Sequence, residues 1–445
     1  MAHQSEAACL IATGAMYRHR LGLRSNDGRT TFVGFKPGGF SIHHDDSPFF
    51  HFDLEGRWQR LVIEGVHYLK GLDGKMDRID RVREGVELVL RRRAVPFAEA
   101  NDMDAMVRAD VLGLIEEIQA GRLQFVEPPK PAIALGRDTL LATLERISEW
   151  DSSAWFRHRE RYLVTYGPLP FLPPEAQQAV VVQATLGHKH GRAFAGAHAF
   201  DHAERTEAEF IAHLEDVRTL LGRRFEQCRV AFLAGADALL QPPSLVAAYL
   251  KAINRVFPRQ AEGPVRHTDP DDEGPHQLQG TLTFLDDFPP TGPTEADWRT
   301  FERNGLKRIA LGIESGDPFV KGLYGKTWDE RDLRAMVERR KSAGVAASVL
   351  VLTGAGGTEH AERHHEATVR LVNALDLDRL DFVFLLDDTE FTGEDGPKAL
   401  RAAGLTPLTT EQGQAARARL KEALSETLAA RRVKVLNYSL DKQWA

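Results

Sequence analysis

Between residues 179 and 386, short runs rich in Val, Ile and Leu alternate with amphipathic stretches, and no other feature constrains the fold as strongly. Val180-Val181-Val182 opens the series as a buried strand. Further strands are read at 229–236, 277–285, 308–313, 346–353 and 381–386. Helices are read at 207–221, 244–256, 295–304, 329–342 and 360–375, two of them stopped by Gly305 and Gly344. Buried β-branched strands alternating with helices predict a parallel sheet with helices outside. Six such units fall short of the eight of a closed barrel. The expected class is therefore α/β, a partial (βα)6 TIM-type barrel, although an open doubly wound sheet also fits the rhythm.

The first 166 residues read differently. Phe50, Phe52, Leu54, Leu61, Ile63, Val66 and Tyr68 alternate, which predicts two or three antiparallel strands with a turn at Glu55-Gly56. Helical periodicity is read over 74–125, clearest at 107–119, and again over 140–150. The rigid segment Leu169-Pro170-Phe171-Leu172-Pro173-Pro174 marks a boundary. The expected division is an N-terminal α+β domain at 1–166, the barrel at 167–392, and a C-terminal helix and strand at 393–445.

Composition removes several function classes. The net charge is −7, which offers no basic face for nucleic acid or an acidic membrane. No apolar run approaches the ~20 residues of a membrane span, and the N-terminus lacks the basic start of a signal peptide. Only two cysteines occur, Cys9 and Cys228. That excludes a disulfide framework, points to the cytoplasm, and rules out an all-cysteine metal site within one chain.

Ligands of parallel α/β folds sit at the carboxyl ends of the strands. After the first strand, His188, His190, His198 and His202 fall within 15 residues, where 17 histidines in 445 would place roughly half of one. Imidazoles so clustered suit zinc or iron, with Asp201 as an added carboxylate; a solvated polar loop is the competing reading. The second strand ends at Gly235-Ala236-Asp237, the fourth at Gly312-Ile313-Glu314-Ser315-Gly316, and the fifth at Thr353-Gly354-Ala355-Gly356-Gly357. A buried strand-end carboxylate such as Glu314 is costly without a partner, so Glu314 and Ser315 are candidates for small-molecule binding. Asp237 serves either a ligand or the helix that follows. His43-His44 and His364-His365 are read as structural, and Trp58, Trp150 and Trp155 as core or interface anchors.

Taken in order, these segments resemble the radical S-adenosylmethionine (SAM) superfamily across roughly 168–386. Gln183-Ala184-Thr185-Leu186-Gly187 resembles the strand leading to the cluster loop, and Gly235-Ala236-Asp237 the turn that meets the SAM amino group. Gly312 to Gly316 resembles the motif that holds the ribose and methionyl groups; Gly354 to Gly357, His364 with Thr368, and Lys326 also match. The resemblance implies a SAM pocket formed by Gly235, Asp237, Glu314, Ser315, Gly354 and Gly356. It departs at the cluster loop, where three cysteines are expected and His188, Ala193 and Gly196 stand. No cysteine-ligated [4Fe–4S] cluster is expected. What remains is an enzyme keeping a SAM-type pocket, with a His-bound transition metal (Fe or Zn) and a small-molecule substrate. The alternative is an inactive SAM sensor or scaffold that partners another enzyme.

Overall fold

The computed structural model describes residues 19–36, 38–45, 47–84, 87–130, 137–167, 169, 172–187, 202–235, 237–259, 276–393 and 395–439. The N-terminal part is a nine-stranded antiparallel sheet rather than two or three strands. Its strands are β1 (His19–Arg24), β2 (Thr30–Lys36), β3 (Gly39–His44), β4 (Phe49–Asp53), β5 (Trp58–Ile63), β6 (Val66–Lys70), β7 (Met76–Glu84), β8 (Glu87–Ala94) and β9 (Gln124–Lys130). The first eight run in sequence order and β9 closes beside β1. Helices α1 (Phe97–Gln119), α2 (Arg137–Ser148) and α3 (Ser152–Tyr166) accompany the sheet.

The helix read from residue 74 begins only at Phe97; 76–94 is the β7–β8 hairpin. Met76 and Ile79 are three apart, which imitates a helix repeat. Cross-strand charge fixes the hairpin instead, Arg92 pairing with Asp77 at 2.6 Å. Pro128 and Pro129 lie in edge strand β9, where a missing N–H is tolerated. Trp58 and Trp155 are core residues as expected. His44 is buried between Thr31 (2.8 Å) and Asp110 (2.7 Å), a structural bridge from β3 to α1.

The second sheet contains β10 (Ala179–Gln183), β11 (Val230–Ala234), β12 (Thr281–Leu285), β13 (Leu306–Glu314), β14 (Ala346–Thr353), β15 (Phe382–Asp387) and β16 (Lys434–Tyr438). All six pairings are parallel and the order is strictly sequential. The strand read as part of a C-terminal extension is thus the seventh of this sheet. A doubly wound sheet would reverse its order at a switch point; this one does not. Sequential order with right-handed crossovers puts every crossover on one face. The helices are α4 (Glu207–Leu221), α5 (Pro243–Val256), α6 (Glu295–Arg303), α7 (Pro318–Leu323), α8 (Glu330–Ser342), α9 (Gly357–Ala374), α10 (Asp388–Thr392), α11 (Asp395–Ala402) and α12 (Thr410–Leu428). Ile309, Leu311, Val349 and Val383 meet Leu333, Val337, Leu371 and Leu424 in the outer core. Capping boxes begin α4, α6 and α12 at Thr206, Thr294 and Thr409.

The sheet is curved. Gln177, just before β10, donates to the Tyr438 hydroxyl in β16 at 2.7 Å, and Tyr438 donates to the Leu172 carbonyl at 3.2 Å. In a flat sheet six spacings of about 4.8 Å would hold those edges about 29 Å apart. β10 and β16 do not pair, so the sheet stays open. Arg57 ties the two parts together, binding Asp53 at 2.7 Å and the α4 carbonyls of Leu220 and Leu221 at 2.8 and 2.6 Å. No helix among the described residues is long and apolar enough to cross a membrane.

Candidate functional site at the strand ends

Strand β13 ends in a strained turn. Glu314 has φ of 54°, the left-handed region that a side chain makes costly. A register shift against β14 falls between Gly312 and Glu314, so the chain bulges there. The result turns the buried Glu314 carboxylate toward Lys326, whose Nζ lies 3.0 Å from Glu314 Oε1 and 3.2 Å from Asp286 Oδ2. Lys326 also donates to the Asp286 carbonyl at 3.0 Å and the Gly312 carbonyl at 3.3 Å. One ammonium is thus held by two carboxylates from the ends of β12 and β13.

Beside this trio, Tyr324 donates to Asp388 at 2.5 Å. Burial pushes the Asp388 carboxyl up to about 6, and pushes the Tyr324 phenol well up. Asp388 follows β15, so acids stand at the ends of β12, β13 and β15, with β14 between the last two. Asp286 escaped the sequence reading, and Asp388, at the end of the sixth expected strand, was not singled out as a site residue. Each directly follows an apolar strand, as Glu314 ends one, and that placement was the available signal.

Ser315 lies beneath the turn and is fully buried. Its hydroxyl donates to His364 Nδ1 (2.8 Å) and accepts from the Asp317 N–H (3.0 Å). His364 Nε2 donates to the Leu352 carbonyl at 3.0 Å, and Thr368 accepts the Gly316 N–H at 3.0 Å. Burial lowers His364 to about 4, so the ring is neutral and Nδ1 accepts. His364 and Thr368 therefore brace the turn that carries Glu314, and Ser315 spends its proton within that brace.

The glycines of the pocket residues pack against the chain itself. A Cβ at Gly235 (φ 109°) would lie 2.1 Å from Thr185 Oγ1. At Gly356 (φ 82°) it would meet Val320 at 2.6 Å. The turn from Gly354 onward is strapped by Thr406, whose carbonyl accepts the Thr358 N–H at 2.9 Å while Glu359 accepts from its hydroxyl at 2.7 Å. Asp237 is buried, 3.6 Å from His202 Nδ1, and His202 Nε2 is 3.1 Å from Glu204. His188, His190 and His198 lie outside the described residues. Among the described residues no group of three metal-binding side chains converges.

Fold and site together describe a singly wound, curved α/β sheet with a charged cluster at its carboxyl ends. No family model and no curated protein matches the chain. Among solved structures it is similar to the radical S-adenosylmethionine methyltransferase TsrM from Kitasatospora setae, with cobalamin and a [4Fe-4S] cluster bound, at 16% identity and a TM-score of 0.32. That match covers 53% of this chain and 38% of that one. It is similar to coproporphyrinogen III oxidase (HemN) from Escherichia coli, a radical SAM enzyme, at 13% identity and a TM-score of 0.37, over 59% of this chain and 56% of that one. Methylornithine synthase (PylB) matches at 13% identity and a TM-score of 0.36, over 66% of this chain and 78% of that one. The chain thus spans less than two thirds of the first two.

Proposed function

We propose that the chain is a radical-SAM-type protein, its curved sheet a partial TIM-type barrel, whose strand ends bind SAM or a related nucleoside without a cysteine-ligated cluster. The carrying observation is Glu314, held at φ 54° with its carboxylate on an ammonium. Strain of this kind persists where the surroundings over-determine it, as binding sites do. A carboxylate that receives the ammonium of Lys326 has the chemistry to receive that of an amino acid moiety. Thr185 Oγ1, buried beside Gly235 without a hydrogen-bond partner, offers a further acceptor where the resemblance puts the SAM amino group.

The chain's own cysteines do not fit a [4Fe–4S] cluster, which takes three or four thiolates. Cys228 precedes β11 at the opposite end of the sheet from the carboxyl ends, and burial pushes its thiol up to about 11. No step is derived through a cluster. The histidine loop is our candidate for a transition metal, Fe or Zn, in its place. Near one equivalent of metal in purified protein, lost in His198→Ala and His202→Ala, supports that reading; metal-free protein sinks it.

Calorimetric titration with SAM tests the pocket. We expect saturable binding, weakened about 10- to 150-fold in Glu314→Ala, the range of a hydrogen bond to a charged group. No binding by the native chain sinks the proposal. A second reading, a sensor or scaffold partnering another enzyme, is favoured by Lys326, which already supplies an ammonium to both carboxylates. SAM bound but never consumed in the presence of reductant supports the sensor; SAM not bound supports the scaffold.

A further inference from the structure

The two faces of the curved sheet differ in exposure. On the face that carries the helices, Ile309, Leu311, Ile313, Val349, Val351 and Val383 are all 0% exposed. The strand register puts Val181, Leu282, Ala310, Leu350 and Phe384 on the other, concave face. These five keep 3–8% exposure, and Phe284 beside them is half-buried. Residual exposure is thus patchy on the concave face, where Phe232 in register with Val181 and Leu282 keeps only 1%, and is absent from the convex residues named above, so the curve encloses a narrow hollow.

Both ends of the hollow are narrowed. At its base Glu175 accepts from Ser348 and lies 3.7 Å from Arg308. At its mouth Leu400 and Leu405 bury themselves in the same apolar cluster as Leu350 and Phe384. A space narrowed at both ends suits a small molecule rather than a folded partner. The middle of the wall is aliphatic and aromatic, with the charged pairs confined to the two ends. Among the described residues, a polar side chain on this face away from the Ser348 and Arg308 contacts is Gln183. Gln183 shares the concave face, paired in register with Ala234, and is 2% exposed. Its side-chain oxygen is buried without a hydrogen-bond partner among the described residues. A buried acceptor left unmet is costly, and a ligand donor removes that cost.

We infer that the hollow takes the body of an uncharged aromatic small molecule carrying an N–H or O–H donor directed at the Gln183 side-chain oxygen. Calling that molecule the substrate rests on the SAM-type reading above; the hollow's selectivity does not.

Fluorescence titration with 1-aminonaphthalene, with 1-methylnaphthalene as a competitor of like shape lacking the donor, tests this. We expect saturable single-site binding with blue-shifted emission, and a preference for the amine of roughly 3- to 10-fold, the range of one neutral hydrogen bond. Gln183→Leu should erase the preference while both probes still bind. Ala310→Phe should fill the hollow and abolish binding of both, with its folding checked by circular dichroism. If that variant does not fold, Gln183→Leu decides the matter. Absence of saturable binding by the native chain, an amine preference that survives Gln183→Leu, or unchanged affinity in folded Ala310→Phe overturns the inference. SAM is titrated in parallel. SAM bound without either probe sinks this inference alone, and probe bound without SAM sinks only the SAM reading.

Discussion

The Tyr438 hydroxyl accepts from Gln177 and donates to the Leu172 carbonyl, joining the segment before the first parallel strand to the last. Tyr438 and Leu172 are buried and Gln177 is half-buried, so bulk water replaces these bonds only in part. Tyr438→Phe keeps the ring and removes both bonds. We expect a loss of about 1–3 kcal/mol, the worth of two hydrogen bonds at about 0.5–1.5 kcal/mol each. The urea midpoint should fall with an unchanged slope. An unchanged midpoint would mean that the outer helices alone hold the curve.

Arg57 joins the antiparallel sheet to the C-terminus of α4 through one carboxylate and two carbonyls. Both Arg57 and Asp53 are 2% exposed. Arg57→Ala leaves Asp53 as an uncompensated buried charge, which costs about 3–5 kcal/mol. Hydrogen exchange should quicken at the end of α4 before it does in the central strands. Uniform acceleration everywhere would instead make this contact part of one global unit.

Burial lowers His158 and His213 to about 3 and His364 to about 4, against an ordinary 6.5. Between those values the unfolded chain binds protons that the native chain refuses, so stability falls as pH drops below 6.5. Each group contributes a slope of about 1.4 kcal/mol per pH unit. Asp388, raised to about 6, acts in the opposite sense between pH 3.8 and 6, because the native chain holds a proton that the unfolded chain has lost. Denaturant titrations from pH 4 to 7 should show a net rise in stability with pH. His158→Gln should flatten it by one group's slope. A slope that His158→Gln leaves intact would contradict the assignment.

The parallel sheet was legible because its strands are apolar on both faces and its helices announce their own ends. Thr206 with Glu209, Thr294 with Asp297, and Thr409 with Gln412 form the caps that start three helices. The β7–β8 hairpin was not legible, since its register is held by charges such as Arg92 with Asp77 rather than by apolar alternation. Sequence placed Glu314 at a strand end. It did not reveal that Lys326, twelve positions on, returns to neutralise it together with Asp286. Single charged residues carry no periodicity, so only the curve of the sheet and the bulge at Gly312 bring them together. Ser315, read as a ligand for the same reason, also holds the brace of the turn through its hydroxyl.

The strain at Glu314 can be measured apart from its charge. Glu314→Ala and Glu314→Gly both delete the carboxylate and leave Lys326 with Asp286 alone. They differ only at the backbone, where φ of 54° penalises a Cβ and spares glycine. Ordinarily glycine is the less stable of the two by about 0.5–1 kcal/mol, through its greater freedom when unfolded. A left-handed residue costs roughly 1–2 kcal/mol, so here the order should invert. We expect Glu314→Gly to be more stable than Glu314→Ala by about 1 kcal/mol, with both below the native chain. The comparison is read from urea midpoints at equal slopes. If Glu314→Ala is the more stable, the turn does not store strain, and the carboxylate's position must be attributed to the Lys326 pairing alone.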